Sequence, residues 1–112
     1  MSVQRTQLLG ADFIPGKNVQ RVEIQRIEFS PGQKSPRHLH PCPVVGTIMQ
    51  GSVLFELEGQ PAQVLNAGDA FFEPANVVVP HFDNASETEI MIFMAHYLLD
   101  HEGEEKLRIL GS

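Results

Sequence analysis

Three histidines carry the chemistry legible in this chain: His38 and His40 in Pro36-Arg37-His38-Leu39-His40-Pro41, and His81 in Val79-Pro80-His81-Phe82. Residues i and i+2 of a strand point to the same side, so His38 and His40 both face inward if Arg37 and Leu39 face out. A third imidazole would complete one face of a coordination shell. Neutral imidazole suits zinc, iron, nickel and copper, and three protein ligands with open positions left over is the form of a working site rather than a structural one. A lone His-x-His pair is as readily two surface histidines, so the segments around the two sites must decide.

Those segments punctuate like an all-β protein. Residues 19–29 (VQRVEIQRIEF) alternate as Val22/Ile24 and again as Ile27/Phe29, and the change of phase near Gln25-Arg26 predicts a bulge. Ser30-Pro31-Gly32 turns the chain. Strands are expected over 44–50 and 52–58, broken at Gly51, then over 63–65, 70–73, 77–82 and 88–99, with Gly59, Gly68-Asp69 and Pro74-Ala75-Asn76 as punctuation. Only residues 104–110 (EEKLRIL) have helical spacing, acidic residues first and Lys106 and Arg108 later, which predicts a short C-terminal helix. Many short strands between Gly and Pro turns point to a sandwich or small barrel.

Composition narrows the classes further. One domain over all 112 residues is the natural expectation, and such a chain buries a core without disulfides. The single cysteine, Cys42, excludes an intrachain disulfide framework and fits a reducing cytoplasm. The opening residues lack a long apolar run, so neither a signal peptide nor a membrane partner is expected. A formal net charge of −6 with no Lys/Arg cluster argues against nucleic acid as a partner.

With strands and turns placed, the sequence resembles the cupin superfamily. That family's first motif runs Gly, five residues, His-x-His, three or four residues, Glu, six residues, Gly; here it reads Gly32, His38-Leu39-His40, Val44 and Gly51, with only the Glu missing. The second runs Gly, five residues, Pro-x-Gly, two residues, His, three residues, Asn. Gly68 and Pro74 match, Asn76 replaces the second Gly, four residues instead of two precede His81, and Asn84 follows. Asn tolerates the left-handed turn that Gly would take, so that change is mild.

The resemblance covers about residues 22–97, with the motifs at 32–51 and 68–84. It implies a small jelly-roll-like β-barrel. It also implies a divalent transition metal (Fe, Zn, Ni or Mn) on His38, His40 and His81. Because Val44 stands where the family has a carboxylate, that triad is neutral and the ion keeps its whole charge, which favours an anionic ligand. The resemblance therefore suggests a metal-dependent, dioxygenase-like enzyme acting on a small anionic or carbonyl compound. The alternative is a non-catalytic small-molecule-binding or sensing cupin, without metal if the missing carboxylate weakens the site.

Four neighbours are weaker candidates. Cys42, between Pro41 and Pro43, is a replacement ligand, a redox-sensitive thiol or a thiol with no chemical role, the last being the default in so stiff a loop. His96, grouped by alternation with Ile90, Ile92, Met94 and Leu98, is a candidate base if that face lines the barrel, and otherwise a hydrogen-bonded rim histidine. Glu73 and Asp83 flank strand ends and are by default solvated carboxylates. Residues 3–14 are too apolar for a free tail; they are expected either to cross to a partner in a homodimer or to fold back as one more strand.

Overall fold

The structure, a computed structural model, describes residues 2–111. Nine strands make it up: β1 (Arg21–Phe29), β2 (His38–Leu39), β3 (Val44–Gln50), β4 (Ser52–Glu56), β5 (Gln63–Asn66), β6 (Ala70–Glu73), β7 (His81–Asn84), β8 (Met91–Leu99) and β9 (Arg108–Ile109). They form a four-stranded sheet in the order β1-β8-β3-β6, a three-stranded sheet β5-β4-β7 and a two-stranded ribbon β2-β9, with every pairing antiparallel. The all-β expectation holds. The closed barrel does not: no hydrogen-bonded ladder joins the sheets, which meet at corners such as Gly51, whose φ of 80° only glycine takes without strain. Among the described residues no helix is long and apolar enough to cross a membrane.

The core lies between the two larger sheets. β8 turns Met91, Phe93, Ala95, Tyr97 and Leu99 inward, and the rings of Phe71, Phe82 and Phe93 meet at centroid distances of 5.1 and 4.7 Å. At Gly46 in β3 the sheet leaves no room for a side chain, since a Cβ there would run into the Met94 carbonyl and the Phe71 ring. Overpacking against backbone cannot relax by rotamer change. Gly46→Ala should therefore cost about 3 kcal/mol, read as a lowered midpoint in chemical denaturation.

Two expected elements differ. β1 carries no bulge: it pairs with β8 without interruption from Arg21↔Leu99 to Phe29↔Met91. Its single inward row runs Gln25, Ile27, Phe29, so the apolar pattern changes phase because Val22 and Ile24 face outward, where they are 51% and 57% exposed. The C-terminal helix is absent as well. Residues 104–110 form an extended strap whose β9 segment pairs with β2, His38↔Ile109 and Leu39↔Arg108. Seven residues are too few to sustain an isolated helix, and Leu107 and Ile109 also alternate with period two, which lets both cover the space between the sheets.

Residues 2–20 contain no strand. Leu9 lies beside Thr47 and His96 on the outer face of the four-stranded sheet, Phe13 lies 6.0 Å from Phe72, and Lys17 pairs with Glu104.

Candidate metal centre

β2 is only two residues long, yet it fixes the centre. His38 exchanges backbone hydrogen bonds with Val79, at 3.3 and 2.7 Å, and pairs with Ile109 on its other side. Held between these neighbours, His38 and His40 both turn inward, 6% and 7% exposed, with rings 5.0 Å apart and nearly perpendicular. The third member comes from β6. There Ala70-Phe71-Phe72-Glu73 alternates, Phe71 and Glu73 facing in, and the register sets Glu73 directly opposite Val44 of β3. Opposed residues of an antiparallel pair share a face, so a carboxylate enters the space that the glutamate of the first motif would have filled.

His40 Nε2 lies 3.5 Å from Glu73 Oε1 and His38 Nε2 lies 3.9 Å from Oε2. Donors about 2.1 Å from a common ion stand about 3.0–3.4 Å apart, so a small closure of the three side chains would accommodate one. The imidazoles are already turned for this. His38 Nδ1 donates to the Pro36 carbonyl and His40 Nδ1 to the Lys106 carbonyl, both at 2.7 Å. With Nδ1–H spent on a carbonyl, the neutral tautomer leaves the Nε2 lone pair free toward Glu73. Glu73 is 3% exposed, and its Oε2 finds no hydrogen-bond partner at all. A buried carboxylate oxygen without a donor is costly in any protein that has no further use for it.

The His40 imidazole holds its proton above the ordinary value of 6.5. Burial pulls its pKa down, but the hydrogen bond and charge of Glu73, aided by the Lys106 carbonyl, outweigh that. A histidine that binds its proton more tightly when folded stabilises the fold fully below about pH 6.5, and this contribution fades as pH rises through the folded value. In metal-stripped protein, the Tm advantage of the wild type over His40→Gln should therefore shrink as pH is raised from about 6 to 8. With a metal bound the trend should reverse, because a bound ion must displace that proton.

His81 is not brought to this cluster. Its ring is 46% exposed, its Nδ1 donates to Asp83 Oδ2 at 2.9 Å, and its Nε2 lies 3.8 Å from Glu56 Oε1. Counting two residues rather than four after Asn76 reaches Val79, the fully buried partner of His38. The two extra residues carry His81 past the inner face and onto the pair with Glu56. Asp83 is buried, but both of its oxygens are occupied, by His81 and by the Ser35 N–H at 3.1 Å.

The remaining candidates lie apart from the centre. Cys42 is fully buried in the core, and burial, then the nearby Glu104, pushes its thiol up to about 11, so it stays a thiol at neutral pH, and it does not join the cluster of His38, His40 and Glu73. His96 faces the outer side of β8, donating from Nδ1 to the Val45 carbonyl at 3.0 Å, which excludes it as a base for this cavity.

The cluster sits in a cavity of about 380 Å³ between the sheets. Ile27, Phe29, Phe82 and Phe93 form its floor and walls, Leu107 and Ile109 of the strap close one side, and Gln25, Ser35 and Tyr97 add polar atoms. Burial, then the charges of Glu73 and Cys42, pushes the Tyr97 phenol up to about 12, so it stays protonated and can only donate to an anion.

A cupin domain model matches residues 25–97 of the chain. Oxalate oxidase GF-2.8 of Triticum aestivum is 32% identical over 84 residues, a match covering 67% of this chain and 37% of that protein. Germin-like protein subfamily 1 member 7 of Arabidopsis thaliana is 33% identical over 94 residues, covering 76% and 40%. The chain thus spans about two fifths of the length of the curated relatives it matches. Among solved structures, a cupin-like protein from Thermotoga maritima superposes with a TM-score of 0.67 at 27% identity, covering 81% of this chain and 65% of that one.

Proposed function

The chain belongs to the cupin family, and on that premise we propose that His38, His40 and Glu73 hold a divalent transition metal and that the protein is a metal-dependent oxidative enzyme acting on a small anionic or carbonyl compound. The observation that carries this reading is Glu73 Oε2, buried without a partner beside two imidazoles whose other nitrogens are already committed. Two imidazoles and one carboxylate are the donor set of non-haem iron oxygenases, and the same set also takes manganese, nickel or zinc. A divalent ion bound there supplies a Lewis acid with open positions. The residues around it do the rest. The Pro36 and Lys106 carbonyls hold the imidazoles in the ligating tautomer, the Tyr97 phenol donates a hydrogen bond to an oxygen of the ligand, and the phenylalanine walls exclude water.

Protein purified without added metal should contain about one divalent ion per chain by elemental analysis. A chain that neither carries nor takes up one overturns the reading. The second reading, a ligand-binding cupin without turnover, is favoured by one observation: apart from the three proposed ligands, the cavity holds no group that accepts a proton at neutral pH, Tyr97 being too basic and Asp83 bound elsewhere. Dioxygen uptake by the metal-loaded protein with a panel of small acids and ketones separates the two.

We also propose a homodimer. β1 is a sheet edge whose outward Val22 and Ile24 are exposed, and Leu8, which lines a hollow with Thr47 and His96 on the outer face of the same sheet, is 57% exposed. Paired edges and a covered apolar face are what symmetric association provides. Light scattering should give about 25 kDa, twice the 12.5 kDa chain; a monomer mass at micromolar concentration refutes it.

A further inference from the structure

Resting on the metal reading above, we propose that the cavity takes a ligand with a single anionic or chelating head and an apolar body of several carbons, and that it discriminates against dianions such as adipate, whose second carboxylate lies beyond reach of the ion. The proposal follows from what the walls lack. Beyond the metal cluster, the cavity offers an amide from Gln25, a hydroxyl from Ser35 and the Tyr97 phenol, and no lysine or arginine lines it. The strap's own cations are engaged outside, Lys106 with Glu23 at 3.2 Å and Arg108 with Glu105. Glu73 removes one positive charge from a divalent ion, so a single carboxylate or enolate head neutralises the centre and a second carboxylate too distant to reach the ion meets no counter-charge. An unpaired carboxylate against Phe29, Phe93 and Ile109 bears a desolvation penalty that nothing on these walls offsets.

The cavity's size argues the same way. About 380 Å³ lies within the ordinary range of small-molecule sites, and a two-carbon diacid leaves most of it unfilled. An alkyl or aryl body would occupy the apolar remainder, each buried methylene strengthening binding by about fourfold. Tyr97 lines the cavity with its ring 6.0 Å from that of His40, and no hydrogen bond to another described residue engages its hydroxyl. It is therefore free to donate to the head group.

Tyr97 also supplies the readout, being the only tyrosine in a chain with no tryptophan. Its emission is to be titrated in protein loaded with Zn²⁺, which is redox-inert, using hexanoate, butanoate and adipate, none of which fluoresces. Adipate has the length of hexanoate with a carboxylate in place of the methyl. Hexanoate should bind at least about tenfold more tightly than adipate, and about fifteenfold more tightly than butanoate. Gln25→Arg, which adds a cation at an exposed wall position, should bring adipate to within about threefold of hexanoate. Adipate binding the wild type as tightly as hexanoate overturns the inference. Zinc content measured on the same samples separates the two levels: bound Zn²⁺ with a preference for diacids overturns this inference alone, whereas no uptake of Zn²⁺ overturns the metal reading and this inference with it.

Discussion

Glu73→Gln should strip the bound ion from the protein, while His81→Ala should leave it in place. Glutamine keeps the shape of the side chain and removes the charge, so two imidazoles and a neutral amide oxygen remain, and affinity should fall by about a hundredfold or more. On the alkaline side of the His40 titration, where no imidazolium pairs with Glu73, the same change should slightly stabilise the metal-free protein, by about 1 kcal/mol, because the partnerless buried Oε2 no longer carries charge. Loss of metal with gain of apo stability is a combination that general damage to the fold does not produce. His81→Ala removes the Nδ1–H partner of buried Asp83 and should cost about 1–2 kcal/mol with no change in metal content. Metal retained by Glu73→Gln and lost by His81→Ala would restore the three-histidine set and sink the assignment.

Val44→Glu tests the same geometry from the opposite strand. Val44 is 1% exposed and faces Glu73 across the β3–β6 pair, so the substitution places two carboxylates side by side in a buried site. Without metal they repel and lack donors, which should cost about 3 kcal/mol and lower Tm by on the order of 10 °C. With metal the second carboxylate becomes a ligand or a neutralising neighbour, and most of that loss should return. The measurement is Tm with and without one equivalent of Mn²⁺ or Zn²⁺. A Val44→Glu protein equally unstable in both conditions would mean that position 44 does not face the ion.

Much of this was legible in the chain because it rests on local period and turn chemistry. His38 and His40 share a face through simple alternation, and Asn76 takes the left-handed conformation, φ 64°, that its motif position called for. Glu73 was read as a solvated carboxylate because Phe71 and Phe72 are both apolar, which leaves the phase of that strand ambiguous; only the pairing with Val44, twenty-nine residues earlier in sequence, decides it. His81 lies apart from His38 and His40 because the second motif carries two extra residues, and a gapless count arrives at Val79. The phase change in β1 and the amphipathic look of residues 104–110 have a shared cause. Both segments border the cavity, where an inward position need not be apolar and an apolar residue need not be fully buried, so hydrophobic period alone misreports them.

The strap also sets a clock. His40 takes its ligating orientation from the carbonyl of Lys106, sixty-six residues further along, and His38 is flanked by Ile109. A nascent chain that already displays both histidines and Glu73 therefore lacks a finished centre until residues 104–110 have left the ribosome and closed over it. Non-local contacts of this kind form late because a long loop must close before they contribute. An ion acquired earlier would meet loosely held donors of little selectivity. Under the proposed assignment, metal choice should accordingly be made by the folded protein, so the metals present after the strap has closed should set occupancy more than those present during synthesis.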